Sequence, residues 1–433
     1  MATSTVKLNG TTLMTVNDTT AVAADVAQGK VFTAVDGTKT TGTASSGSAP
    51  QKQVNFIDYD GTILYSYTAQ EANALSALPA NPSHSGLTAQ GWNWTLQEIK
   101  AQLTAMPDGP VWVGQMYITA SGDTEIDVKM LEGRLSPILT IAVNGTVTVD
   151  WGDNTTADTV TGSSLTTRQA PSHTYAAPGD YTIKIHVVSG SFSFYGSSSY
   201  LLLRKNENST ENQVYSQCVQ SIRLGSGITS IGYYAFYYCR KLAYITMPST
   251  VTSISDRAFY SCTSLASITI PDGVTSIGSY AFNACTSLLF VAIPPSVTSV
   301  STYAFVGCSI IVSVVFSGNI TSIENYTFQN GHNLASIILP STVTSIGISA
   351  FQACYGLVSL TIPSTVTSIG NNAFNTCAGM KECHIKPTSV PTLGTTVFAG
   401  ISSDCVIYVP TASLDSYKTA TNWSTYASYM QGE

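Results

Sequence analysis

The sequence predicts a mainly β, multidomain protein: a small α+β domain, a β-sandwich, and a solenoid of 23-residue period closed by a C-terminal cap. Three observations carry this. A phenylalanine recurs every 23 residues from Phe236 to Phe374. The middle of the chain pairs V-D-W-G-D (149–153) with H-T-Y (173–175) and P-G-D-Y-T-I (178–183). Only 10% of the 433 residues are charged while 44% are hydrophobic, so Ser, Thr, Gly, Asn and 23 Tyr must make the surface.

That composition bounds the function. Soluble proteins average about a quarter charged residues; a surface of hydroxyls and rings suits an extracellular β-protein or a particle component. At about 100–200 residues per domain, the length accommodates two to four domains. Net charge is −7 with 18 Lys+Arg, and no basic cluster exists to hold phosphates, which excludes a nucleic-acid binder. No run of about 18 apolar residues appears, so no membrane insertion is expected. The start, Met1 to Lys7, lacks a basic n-region and an apolar h-region, and does not read as a secretory signal. Nine cysteines without a C-x-x-C pair argue against a disulfide scaffold or zinc ribbon.

Taken in order, residues 1–50 carry Ala23-Ala24-Asp25-Val26-Ala27-Gln28-Gly29-Lys30-Val31-Phe32 and Asp36-Gly37-Thr38 through Gly42-Thr43. This resembles a segment recurrent in bacteriophage tail and other virion structural proteins. The resemblance implies an anchor that docks on other virion proteins; release by lysis would need no signal peptide. The competing reading is a flexible, Thr-rich leader. Residues 44–50 form a Ser/Gly/Ala/Pro linker.

Residues 51–118 read as a small α+β domain. Val54 to Tyr65 forms a hairpin turning at Asp60-Gly61. Thr68-Ala69-Gln70-Glu71 and Thr95-Leu96-Gln97-Glu98 are capping boxes that each open a helix, with Trp92 and Trp94 between them. Val111-Trp112-Val113 and Met116-Tyr117-Ile118 read as two strands. Phe56-Ile57-Asp58-Tyr59-Asp60-Gly61-Thr62-Ile63 resembles the D-x-D-G-T signature of haloacid-dehalogenase-type phosphatases. That resemblance would make Asp58 the nucleophile and Asp60 the acid/base. It also requires a Lys, a downstream acidic pair for magnesium and a large parallel α/β sheet; no βαβ series or adjacent acidic pair follows. A turn is the preferred reading, because a site needs its whole constellation.

The middle segment, 119–190, resembles a PKD-type immunoglobulin-like sandwich. The resemblance implies a spacer or protein-contact module, with Trp151 in the core and Asp150 and Asp153 bracing loops. Asp150, Asp153 and Asp158 are oxygen ligands of the kind calcium takes, but a plain turn explains them. Residues 191–218 read as a connector.

The repeats fill 219–386. Ala precedes Phe in six of seven coils, Thr327 being the exception, and Cys follows three residues later except at Gly331. Each unit reads L-x-x-I-x-I-P-x-x-V-T-S-I-G-x-x-A-F-x-x-C. L-x-x-I-x-I alternates, so it is a strand with one buried face; Pro ends it; V-T-S-I is a second short strand; A-F-x-x-C is a turn that drops ring and thiol inward. No repeat buries its apolar face alone, so the coils must stack. Seven coils at about 4.8 Å each give a rod on the order of 35 Å. I-P-S-T-V-T-S-I-G (362–370) and A-F-N-A-C-T-S-L (281–288) resemble the BspA-type leucine-rich repeat family, whose members are surface proteins that bind partners; no catalytic residues come with the repeat. The cysteine column reads as small apolar core residues rather than a metal or redox ladder, since no coil has metal-ligand spacing. After Met380 the period slips; Phe398 comes one residue late, and Leu414, Tyr417 and Trp423 read as the cap over 387–433.

No catalytic constellation and no cofactor are expected. The candidate partner-binding residues are tyrosines between the core columns: Tyr233, Tyr234, Tyr237, Tyr238, Tyr244, Tyr260, Tyr280, Tyr303, Tyr326 and Tyr355. Tyr gives contact area at low entropy cost, although aromatic residues also simply cover β-structure. The expected function is a non-enzymatic virion protein of a bacteriophage (tail fibre, receptor-binding or capsid-decorating fibre) that offers its repeats to a host-surface protein or glycan. Virion fibres are often trimers, so a homotrimer belongs to this expectation. The alternative is a bacterial cell-surface adhesin; a phosphatase using Asp58 and Asp60 is the remote one.

Overall fold

The structure is a computed structural model that describes residues 4–8, 11–16, 31–33, 39–41, 53–105, 111–198, 201–205, 212–316 and 320–433. The chain divides into two units, Met1–Lys52 and Gln53–Glu433. In the first, Ser4–Leu8 pairs antiparallel with Thr11–Val16, and Val31–Thr33 with Lys39–Thr41. Most of the phage-type segment, Ala23 to Lys30, and the linker 44–50 lie outside the described residues.

The second unit begins with a four-stranded sheet in the order Ile63–Thr68, Gln53–Ile57, Val111–Thr119, Leu87–Trp92. The hairpin turns at Gly61, whose φ of 89° only glycine adopts freely. Both capping boxes form. Thr68 Oγ1 accepts from Glu71 N at 3.2 Å and Thr95 Oγ1 from Glu98 N at 3.3 Å, and each Glu returns a bond to the Thr backbone. The helices run Ala69–Ala74 and Leu96–Ala105. Two expected strands are one: Gly114 and Gln115 continue the pleat from Val111 to Thr119. The strand Leu87–Trp92 was not anticipated, because L-T-A-Q-G-W lacks the apolar alternation that marks a strand.

Next comes a six-stranded sheet in the order Asp158–Gln169, Ile141–Asp150, Gly179–Ser193, Thr124–Met130, Val219–Arg223, Tyr244–Thr246. A small pair, Ile138–Leu139 with Leu203–Arg204, stands apart from it. Val219–Arg223 pairs antiparallel with Thr124–Met130 on one side and parallel with Tyr244–Thr246 on the other. The sheet therefore runs without a break into the first coil. The core does the same, forming one cluster from Ile126 through Trp151 and Phe305 to Met430.

The solenoid has about nine turns of about 23 residues. Its long strands stack in register, Phe290 opposite Ser313 opposite Ser336 and Ser359 opposite Glu382. The short Ser-Ile strands form a second row, Ser322, Ser345, Ser368 and Thr392. The phenylalanines make a continuous column, with neighbouring centroids 5.1–5.5 Å apart from Phe236 to Phe398. The column thus holds one ring more than the seven in strict period. Ile362 pairs with Ile385 at the ordinary interval, while Ser368 pairs with Thr392. The extra residue is accordingly absorbed in the Pro-flanked loop 386–391, and Phe398 regains its place. Full burial of each ring contributes about 1.5–3 kcal/mol. Tyr417 and Trp423, both fully buried and edge-on at 5.0 Å, close the last coil against Phe398.

Candidate binding surface

Each coil turns on two left-handed residues, placed two before and two after the core phenylalanine. Before it stand Tyr234, Arg257, Tyr280, Tyr303, Tyr326, Ser349, Asn372 and Thr396, with φ between 52° and 64°. After it stand Tyr238, Ser261, Ala284, Gly307, Asn330, Ala353, Thr376 and Gly400. This conformation aims three N–H groups at the following coil: Tyr280 N donates to Thr302 O, Phe282 N to Ala304 O and Ala284 N to Val306 O, at 3.3, 2.8 and 2.7 Å. An L-residue other than Gly or Asn is disfavoured here by about 1–2 kcal/mol. Tyr and Arg occupy five of the eight upstream positions all the same.

Those five form one column. Tyr280 stacks on Tyr303 at 4.4 Å and Tyr303 on Tyr326 at 4.6 Å, with planes within 7°. The Arg257 guanidinium lies 4.6 Å from the Tyr280 centroid and 5.5 Å from that of Tyr234. Beside this column, Tyr237 contacts Tyr234 at 4.9 Å, Tyr238 at 4.6 Å and Tyr260 at 4.9 Å, while Arg240 covers the Tyr238 ring at 4.8 Å. Burial and the hydroxyls of Tyr280 and Tyr326 hold the Tyr303 phenol above its ordinary value, so the Tyr303 hydroxyl remains protonated at neutral pH. Tyr233 is exposed at the edge of the group and meets Tyr195.

Two candidates stand elsewhere. Tyr355 is exposed in another row and stacks on His332 at 4.9 Å. Tyr244 lies on the strand face, its ring 4.9 Å from Tyr59 and its hydroxyl 3.4 Å from Arg223 Nη1. The tyrosines alone did not reveal Arg240 and Arg257. The signal was available, since Arg257 occupies the tyrosine column once the chain is aligned on its 23-residue period.

The strand face of the early coils is occupied by the chain itself. Trp112 stacks on Phe290 at 4.3 Å with planes 5° apart. Ala292 and Val315 share a core with Val54, Phe56, Trp92, Trp94 and Val113. Asn93 Nδ2 donates to Ile270 O, Ser249 N to Gln90 Oε1 and Ser267 Oγ to Tyr59 O, at 3.3, 2.8 and 3.1 Å. Further along, Ser359, Thr361 and Glu382 on the same face are exposed.

Asp58 is buried at the end of Gln53–Ile57. Its Oδ1 accepts from Tyr117 O–H at 2.8 Å and Tyr59 N at 2.9 Å, and its Oδ2 sits 2.7 Å from His84 Nε2. Asp60 Oδ1 accepts from Thr62 N at 2.9 Å. Both carboxylates brace the turn. In the middle domain Trp151 is buried and donates to Asp158 Oδ2 at 2.9 Å. Asp150 accepts from Gly152 N, and Asp153 pairs with His173 at 2.7 Å. Among the described residues, no group of three or more His, Cys, Asp or Glu is placed to hold a metal, and no helix is long and apolar enough to cross a membrane.

A family model agrees with this repeat pattern. The BspA type leucine rich repeat region, in six copies, matches residues 188–312 and 305–419, together more than half of the chain. No curated protein matches it. Among solved structures, a leucine-rich repeat protein from Bacteroides ovatus is 19% identical, with 50% of this chain and 84% of that one covered at a TM-score of 0.26. A leucine rich cell surface protein from Faecalibacterium prausnitzii is 24% identical, covering 51% and 66% at a TM-score of 0.33. The pneumococcal vaccine antigen PcpA is 18% identical, covering 48% and 64% at 0.28. Matched by that family model over more than half of its length, the chain belongs to the BspA type leucine rich repeat family.

Proposed function

We propose that this protein is a non-enzymatic adhesion component of a bacteriophage particle, in which the N-terminal region docks on other virion proteins and the solenoid faces the host surface. The observation that carries the binding role is the Tyr/Arg column. A bulky aromatic or cationic side chain stands where the backbone favours Gly or Asn, coil after coil, on a side of the solenoid that the small α+β domain leaves uncovered. Residues 119–190 serve as a PKD-like spacer; the buried Trp151 and the Asp153–His173 brace support that assignment. The virion assignment is supported by the phage-type segment at 23–43 and by the low-charge, hydroxyl-rich composition.

Immunogold electron microscopy of a lysate from the producing culture, with antibody against residues 219–433, tests this. Gold on phage particles is the expected result, and its position separates tail tip from capsid decoration. Gold on cell envelopes with bare particles would replace the virion reading with a bacterial surface adhesin.

A further inference from the structure

We propose that the tyrosine–arginine face of the first five coils is a binding site for an acidic polysaccharide, a linear glycan bearing carboxylate or sulfate groups. This rests on the binding-surface reading above and names its ligand class. The argument starts from the two arginines. Arg223, elsewhere in the chain, is clamped between Glu125 and Asp127. Arg240 and Arg257, in contrast, have no carboxylate within ion-pair distance among the described residues; Arg240 lies over the Tyr238 ring, and Arg257 over those of Tyr234 and Tyr280. Asp256, the nearest acid in sequence, is turned away; its Oδ1 accepts from Ser279 N at 2.8 Å. A guanidinium set over an aromatic ring keeps the N–H groups of its own plane for a ligand, and a planar fork of N–H groups matches a carboxylate or sulfate.

The tyrosines then decide between ligand classes. Inside the column Tyr303 is stacked between Tyr280 and Tyr326, and Tyr280 between Tyr303 and Arg257. Neither an apolar protein side chain nor a sugar ring can stack on the faces of those two rings. What remains accessible is a row of ring edges and hydroxyls at one-coil intervals, suited to a ligand rich in hydroxyls of its own. A polymer laid along the solenoid axis meets the same groups at each coil and the guanidiniums at the N-terminal end. The net charge of −7 excludes general electrostatic adsorption of an anion, so retention must come from this local arrangement.

The test uses the full chain on a biosensor, with polygalacturonate, dextran sulfate and uncharged dextran as probes. Retention of either charged polymer without retention of dextran is expected, and the polymer retained identifies the anion as carboxylate or sulfate. The double variant Arg240→Gln/Arg257→Gln should weaken binding by about tenfold or more, the loss of charge-assisted hydrogen bonds. Tyr303→Asn, which suits the left-handed backbone, should weaken it while leaving thermal unfolding unchanged. Equal retention of dextran, or unchanged affinity in the double variant, would overturn the proposal. So would failure of both charged polymers, which would leave the surface-binding reading to be judged by particle labelling alone.

Discussion

At the scale of single residues, the cysteine column shows how a repeat uses a polar atom inside an apolar core. The thiols of Cys262, Cys285, Cys308, Cys354 and Cys377 each donate to the carbonyl of the phenylalanine 26 residues earlier, at 3.1–3.3 Å. The small apolar character was legible in the spacing; the hydrogen bond was not, because it joins consecutive coils. Burial pushes the Cys308 and Cys377 thiols up to about 12. Their folded values lie above the ordinary 9.0, so their contribution to stability is full below pH 9 and is lost as pH rises from there toward 12. Native protein at pH 8 should leave the buried column unlabelled by iodoacetamide, and guanidinium-unfolded protein should label throughout. Rapid native labelling of Cys308 would contradict its burial. Cys308→Ala should cost about 1 kcal/mol of unfolding free energy, for a lost hydrogen bond and a small cavity, with less alkaline loss than the parent chain.

At the scale of elements, what docks the small α+β domain on the solenoid is shape at Gly114. A Cβ built there would lie 2.7 and 2.9 Å from Thr269 Cγ2 and Cβ, so the strand Val111–Thr119 can approach the coil only as glycine. Gly114→Val should separate this contact at a cost of about 1–3 kcal/mol, the usual range for overpacking. The readouts are a red-shifted emission from Trp112, now off Phe290, and faster amide exchange in Val111–Thr119 with the later coils unchanged. An unshifted spectrum and unchanged exchange would show that the interface tolerates the side chain. The domain's own elements were legible because their signals are local: an Asp-Gly turn and two capping boxes. Its docking was not, because it depends on residues almost 200 positions away. A trace existed nonetheless. Some outward positions in the covered coils are apolar (Phe290, Ala292, Val315), whereas the uncovered coils carry Ser359, Thr361 and Glu382 there. The binding surface was half legible for the same reason. Tyrosines stand out by composition, but the guanidiniums between them become visible only when residues one coil apart are placed side by side.

At the scale of the whole unit Gln53–Glu433, the sheet and core that pass from the middle domain into the first coil make the two cooperative, and a charge cluster guards the crossing. Arg223 Nε donates to Glu125 Oε2 and Nη2 to Asp127 Oδ1, both at 2.9 Å; Thr182 Oγ1 and Ser221 Oγ donate to the same Asp127 carboxylate. Burial alone would raise the Asp127 carboxyl, but the hydrogen bonds from Arg223, Ser221 and Thr182 outweigh it and leave the group below its ordinary 3.8. A folded value below the unfolded one means stabilisation that is present above about pH 4 and lost as pH falls through the folded value. Asp127→Asn keeps the shape and removes the charge, leaving Arg223 with one carboxylate partner. It should lower unfolding free energy at pH 7 by about 2 kcal/mol, within the range for hydrogen bonds to charged groups. At pH 2, where the parent's carboxyl is also protonated, the difference should shrink. Urea titrations at the two pH values, followed by tryptophan emission and by circular dichroism, measure both effects. In the parent the two probes should trace one transition, because one core joins Trp151 to Trp423. If the variant's deficit is equally large at pH 2, the charge on Asp127 is not what fastens the middle domain to the solenoid. If the parent's two probes separate, the continuous sheet does not confer cooperativity across the junction.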